Sequence, residues 1–307
     1  MPNCKNYTRR FIGNLLRDDI GHRWYGYVGQ LLLRELAQKK LPVRCLIRPG
    51  KPKEKLLQLE QWGMEWLEGD LRDEVARRRA LRGARVVIHL AHIRYASVLL
   101  ADMHNDIERI VLMSSLWRFS RVPSAAVDEV IESEAVVEAS DRPWVLLRPS
   151  MIYGPGNDRN ISRLRDHLRR WRWVPIFGRG YTMHQPVYVE DVVGATITAS
   201  DQPDIEHRSY ALAGGEMLTY RDLLQILGYS IGISPLIMPL PARPLAYILG
   251  MLSDWGFRLP VDSEQIMRSQ EDKQYDIADA RRDLGFSPSN FEDGIRRIAG
   301  WQSDEPV

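Results

Sequence analysis

Gly26 and Gly29, separated by Tyr27 and Val28, stand directly before the apolar helical run "QLLLREL". Two glycines at this spacing leave the backbone bare enough for its amides to approach a pyrophosphate at a helix N-terminus. Roughly twenty residues on, where such sites read the ribose, "CLIRPGKPK" ends an apolar run in Arg48, with Lys51 and Lys53 behind it. An acid there would hold the 2′-hydroxyl; a planar guanidinium fork suits a 2′-phosphate. Asp70 in "EGDLRD" and the stretch "HLAHI" from His89 to Ile93 close two further apolar runs. Glycine pairs also occur at ordinary helix N-termini, and basic turns are commonly just solvated. The ordered succession of all these features points to NADP, with NADPH preferred over NADH.

The residues ahead of Gly26 do not fit. His22, Arg23, Trp24 and Tyr25 occupy the place of a strand end and a first glycine, and Arg23 would put a Cβ where the backbone must approach phosphate. A string encoding Asp18 to Tyr25, GAT GAT ATT GGT CAC CGG TGG TAC, reads Met-Ile-Leu-Val-Thr-Gly-Gly when shifted by one base. The expectation is that residues 1–25 are an out-of-frame or irregular extension. Residues 1–17 are then not expected to supply the central strand, although a segment between Phe11 and Tyr25 could fill the gap as a short, poor one.

The elements that would position these residues alternate. Residues 29–39 read as an amphipathic helix, with Leu31, Leu32 and Leu36 on one side. "PVRCLI", "MEWLE", "ARVVIHLA", "RIVLMSS" and "PWVLLRPS" read as strands, the longer ones as near-continuous apolar runs of buried parallel type. Helices fall at residues 55–62 and 127–139. The expected fold is α/β: a Rossmann-type doubly wound parallel sheet with a smaller, mostly helical C-terminal substrate lobe. The division is 26–154 for the dinucleotide-binding domain and 155–307 for the lobe, with 185–193 returning to the sheet.

Lys and Arg number 42 against 40 Asp and Glu, so net charge gives no argument for nucleic acid. Cys4 and Cys45 have no metal-ligand spacing, and a reducing, cytoplasmic setting fits them. Residues 1–14 lack the apolar middle of a signal peptide. The most membrane-like stretch, residues 233–257, is broken by prolines, Arg243 and Asp254. It reads as buried or groove-lining rather than spanning.

From Gly26 to Ile298 the chain resembles the short-chain dehydrogenase/reductase superfamily, above all its extended and atypical members of the NAD-dependent epimerase/dehydratase-like and NmrA-like kinds. The likeness rests on "GYVG", "LIRP", "EGDLRD", "VVIHLA", "RIVLMSS", "LLRPSMIYGPG", "QPVYVEDVV", "YALAGGEMLTYRDLL" and "ADARRDLGFSP", in that order. It implies a dinucleotide lined by Gly26, Tyr27, Val28, Gly29, Arg48, Asp70, Leu71, Leu90, Ala91, His92, Ser114, Pro149, Ser150 and Ile152. Active members use a Tyr-x-x-x-Lys pair on the helix before the "LRP" strand, the lysine lowering the tyrosine's pKa. Here that helix, "SAAVDEVIESEAVVEAS", has neither residue; Ala126 and Val130 match the positions, give or take one. Ser115 and Tyr153 remain as candidate catalytic hydroxyls.

Three functions follow: an NADP-dependent oxidoreductase or epimerase acting on a small molecule with displaced acid and base; a non-catalytic cofactor-binding regulator or accessory subunit, as some relatives serve respiratory complex I; or a remnant defective in cofactor binding. One further segment invites a partner. Around residues 159–172, Ile161, Leu164, Leu168 and Trp171 define an apolar face, and Arg159, Arg163, Arg165, Arg169, Arg170 and Arg172 lie mostly off it. Such a helix suits an anionic substrate, an acidic partner or a peripheral lipid surface, or is simply a solvated face.

Overall fold

A computed structural model describes residues 10–13, 27–156, 158, 160–254 and 263–300. The chain opens with β1 (Arg10–Gly13), α1 (Tyr27–Gln38), β2 (Val43–Ile47), α2 (Lys53–Gln61), β3 (Glu65–Glu68), α3 (Glu74–Leu81) and β4 (Val86–His89). There follow α4 (Ala96–Asp102), β5 (Arg109–Met113), α5 (Ala125–Glu138), β6 (Trp144–Pro149) and β7 (Ile152–Tyr153). The remainder runs α6 (Ile161–Trp171), β8 (Trp173–Phe177), β9 (Met183–His184), β10 (Val187–Tyr188), α7 (Val189–Asp201), β11 (Arg208–Leu212), β12 (Leu218–Thr219) and α8 (Tyr220–Ser230). It ends with β13 (Leu236–Leu240), α9 (Ala242–Asp254), α10 (Ser263–Arg268), α11 (Ala278–Leu284) and α12 (Phe291–Gly300).

Seven strands form one parallel sheet in the order β11-β6-β5-β4-β1-β2-β3. β2, β4 and β6 are buried along their whole length. Helices cover both faces, which is why these strands read as unbroken apolar runs. Residues of α3, α4 and α5 pack on one face, including Leu81, Leu99 and Val137. On the other, α1, α7 and α11 supply Leu32, Val193 and Ala280. The strand order reverses between β1 and β4, and a doubly wound sheet opens a ligand crevice at the carboxyl ends of such a pair.

Three expectations are corrected. Arg10–Gly13, which lies within residues 1–17, is the central strand, pairing with β2 on one side and β4 on the other. Two flanking strands with unpaired backbone groups demand such a partner, and four residues supply it. The reading of 1–9 and 14–26 as an extension lies outside the described residues. Second, residues 185–193 return to the sheet only as the start of α7. Val187–Tyr188 pairs with β7 instead, and the late strand in the large sheet is β11. Third, the described part of the stretch 233–257 is buried only in places: Ile233, Ala242 and Ala246 are buried, whereas Leu236, Met238, Tyr247, Ile248 and Met251 are exposed.

The C-terminal part has its own core, in which Ile161, Leu168, Val174, Ile176, Leu223 and Phe291 meet Tyr153 and Tyr188. Among the described residues no helix is long and apolar enough to cross a membrane.

Candidate functional site

The crevice collects the residues marked by the sequence. α1 starts at Tyr27 with no acid in its first turn, which suits an anion at its positive end; Gly26 lies outside the described residues. Val28 and Ile152 pack under the helix, and Gly29 is buried. Arg48, just beyond β2, places Nε 3.2 Å from Asp70 Oδ2, just beyond β3. Asp70 also binds Arg72, accepting from its backbone N–H at 2.8 Å and its guanidinium at 3.0 and 3.1 Å. Hydrogen bonding by Arg72, with the Arg48 charge adding to it, holds the Asp70 carboxyl below its ordinary range. Leu71 and Ala91 are buried and Leu90 is partly so. His92 follows β4 and accepts the Arg94 N–H at Nδ1, 3.3 Å, with Nε2 3.6 Å from Glu129. Pro149 closes β6, and the Ser150 hydroxyl donates to the Gln185 carbonyl at 2.6 Å.

Beside this crevice, between α5 and the ends of β5 and β6, lies a buried ionic corner. Glu134 on α5 has no exposed surface. The Arg148 guanidinium grips it from β6, with Nε 3.0 and 3.1 Å and Nη2 2.7 Å from the carboxylate oxygens. Arg118 donates to the same carboxylate, and so does the Ser114 hydroxyl from the end of β5. Burial pushes the Glu134 pKa up, but hydrogen bonds from Arg148, Ser114 and Arg118 outweigh it and hold the group below the ordinary range. Glu134 is therefore ionised and fully engaged. Ser115 accepts the Trp117 N–H at 3.2 Å, capping the short turn Leu116–Phe119.

A family of NAD(P)H-binding domains matches residues 25–169, and the 3-beta hydroxysteroid dehydrogenase/isomerase family matches residues 122–221. The 2-alkyl-3-oxoalkanoate reductase of Stenotrophomonas maltophilia is 24% identical, covering 89% of this chain and 96% of its own. Mitochondrial NADH dehydrogenase [ubiquinone] 1 alpha subcomplex subunit 9 of Arabidopsis thaliana is 26% identical over 78% of this chain, which spans only 65% of that subunit. The solved structure of UDP-glucuronic acid 4-epimerase from Bacillus cereus in complex with NAD superposes with a TM-score of 0.70 at 17% identity, covering 95% of this chain and 97% of its own. The chain carries a match to NAD(P)H-binding domains, shares the fold of NAD-dependent sugar-nucleotide epimerases, and resembles the extended short-chain dehydrogenases/reductases.

In keeping with the NAD(P)H-binding match, the crevice has residues that fit a nicotinamide dinucleotide: a helix N-terminus without an acid in its first turn, a charged pair at the ends of β2 and β3, and small or apolar residues at the ends of β4 and β6. When bound, the dinucleotide supplies hydride transfer at its nicotinamide ring. α5 carries neither tyrosine nor lysine; Ala126 and Val130, the positions expected for such a pair give or take one, are respectively exposed and buried in the core between sheet and helices. Neither side chain can move a proton. One turn past Val130 stands Glu134 of the ionic corner.

Tyr153 sits elsewhere. It is wholly buried, with ring centroids 4.9 Å from Phe291 and 5.6 Å from Tyr188. Its hydroxyl lies 3.4 Å from the Asn290 and Phe291 carbonyls, and burial raises its pKa far beyond the ordinary phenol range. The structure thus brings Ser114 and Ser115 to the crevice's edge but packs Tyr153 into the core of the C-terminal lobe. Sequence reading missed Glu134, Arg118 and Arg148. The available signal was one charge inside each of two apolar runs, "SEAVV" and "VLLRPS".

Proposed function

We propose that this chain binds NADP(H) and retains it without tyrosine-driven proton transfer, as a nucleotide-holding regulator or accessory subunit. The observation that carries this reading is the Glu134 corner. α5 has Ala126 and Val130 where an acid–base pair is expected, and the carboxylate one turn on, Glu134, is fully engaged by Arg148, Arg118 and Ser114. A group used this way stabilises the fold and has no proton to exchange near neutral pH. The likeness to a subunit of NADH dehydrogenase is in keeping with an accessory role. Arg48 supports NADPH over NADH, because a guanidinium at the end of β2 can grip a 2′-phosphate.

A second reading, an NADP-dependent oxidoreductase or epimerase with displaced catalytic groups, is favoured by one feature. A cavity of about 530 Å³ is lined by Arg121, Gln185, Asp272 and Tyr275. Gln185 is also the residue whose carbonyl receives the Ser150 hydroxyl, which puts polar substrate space next to the crevice. Calorimetric titration with NADPH and NADH, paired with assays on carbonyl compounds and sugar nucleotides, separates the two readings. The first expects saturable NADPH binding with neither cofactor nor substrate converted; steady NADPH consumption with a carbonyl compound, or conversion of a sugar nucleotide to its epimer without net cofactor consumption, selects the second.

A further inference from the structure

The two-stranded parallel sheet of β8 and β13 has an apolar face on which Trp173, Pro175, Leu236 and Met238 are exposed, while Phe177 and Leu240 are half-buried. Its register sets Trp173 opposite Leu236, Pro175 opposite Met238 and Phe177 opposite Leu240. Alternation places these six side chains on one side of the sheet, while Val174 and Ile176 turn inward and are buried. Solvated sheet faces are ordinarily polar; this one has no polar residue. Phe177 passes the apolar surface on to α9, which packs against it and leaves Tyr247, Ile248 and Met251 exposed.

The rim of that face is cationic. α6 ends at Arg172, a left-handed cap whose carbonyl accepts the Leu236 N–H at 3.0 Å, so the arginine adjoins both strands. Arg170 stacks on the exposed Trp171 at 5.1 Å. Arg169 has only a long ion pair to Asp166, 3.9 Å. Among the described residues Arg163, Arg170 and Arg172 have no carboxylate partner.

We propose that this face docks on an anionic lipid surface. Two tryptophans beside unpaired arginines, around a flat apolar patch, match the chemistry of the headgroup boundary: aromatic rings at the interface, aliphatic groups below and cations against phosphate. A second copy of the chain would set the same arginines against each other, since a two-fold contact pairs like patches. This inference is independent of the cofactor reading.

The test is co-sedimentation of the full chain with vesicles of phosphatidylcholine alone and of phosphatidylcholine with phosphatidylglycerol. Preferential sedimentation with the anionic vesicles, falling severalfold as salt is raised, is expected. Arg169→Glu with Arg170→Glu, and separately Leu236→Ser with Met238→Ser, should each reduce it at least tenfold with an unchanged melting temperature. Lys39→Glu with Arg79→Glu, on the other lobe, should not. Absent or charge-indifferent sedimentation, or equal losses in the control, overturns the proposal. So does lipid-free dimerisation abolished by Leu236→Ser, or equally tight capture by polyglutamate; these would assign the face to a second copy or to an acidic protein.

Discussion

Glu134 and Arg148 bridge α5 to β6 through three contacts of 2.7 to 3.1 Å, one partner fully buried and the other nearly so. Removing one member of such a pair leaves a charge stranded without solvent, at a cost of about 3–5 kcal/mol. Glu134→Gln leaves Arg148 only the half-exposed Glu138, 2.9 Å from its Nη2, as a charged partner, and weakens the Arg118 and Ser114 contacts, so the cost lies toward the lower end of that range. At roughly 2–4 °C per kcal/mol for a chain of this size, the melting temperature should fall by on the order of 10 °C. Calorimetry or circular dichroism reads this directly.

The same pair has a pH signature. The folded pKa of Glu134 is depressed, so its stabilisation is complete above the unfolded value, about 4.3, and is lost as pH falls through the lower folded value. The melting-temperature gap between wild type and Glu134→Gln should be constant from neutral pH down to the unfolded value and then close. A gap that persists undiminished well into acid would show that the carboxylate's charge is not what matters.

Arg48 and Asp70 form the second pair of interest. One charged phosphate contact contributes on the order of 1.5–3 kcal/mol, so Arg48→Ala should weaken NADPH binding roughly ten- to hundredfold. NADH binding should hardly change. Asp70→Asn, which releases Arg48 from its ion pair, should raise the NADPH-to-NADH affinity ratio. Equal losses for both cofactors in Arg48→Ala would make that arginine structural.

Much of this arrangement was legible in the sequence. The buried strands announced themselves as "VVIH" and "VLLRP", because a sheet covered on both faces selects apolar residues at every position. The missing tyrosine and lysine of α5 could be read directly. What took their place could not, since Glu134 and Arg148 are brought together only when α5 lies across β6. The β8–β13 pairing was equally hidden: its partners are some sixty residues apart, and each strand carries a proline. "RFIG" carried too little pattern to identify a central strand, which is set by the vacancy between β2 and β4.

β1 can be tested through its backbone alone. Ile12 sits in register with Cys45 on one side and Ile88 on the other. Proline in a central strand removes a ladder donor and is excluded from such positions. Ile12→Pro should cost about 3 kcal/mol or more, visible as a lowered denaturation midpoint. An unchanged midpoint would mean that Arg10–Gly13 does not hold the sheet together.

Gly294 tests the packing assigned to Tyr153. A Cβ at this position would lie 2.1 Å from the Tyr153 hydroxyl oxygen. Overpacking of that kind costs about 1–3 kcal/mol, so Gly294→Ala should melt earlier than wild type, and adding Tyr153→Phe should restore part of the loss. Tyr153→Phe alone should leave cofactor affinity unchanged.

The central claim is that this chain holds cofactor in the crevice while α5 moves no proton. Its most direct measurement is nicotinamide absorbance followed under multiple-turnover conditions, with NADPH in excess and a panel of carbonyl substrates. Wild type should bind NADPH and leave its absorbance unchanged, while Ala126→Tyr with Val130→Lys, which rebuilds the superfamily's pair, is the variant in which any turnover should first appear. Steady oxidation of NADPH by the wild type, abolished by Ser114→Ala, would contradict the account.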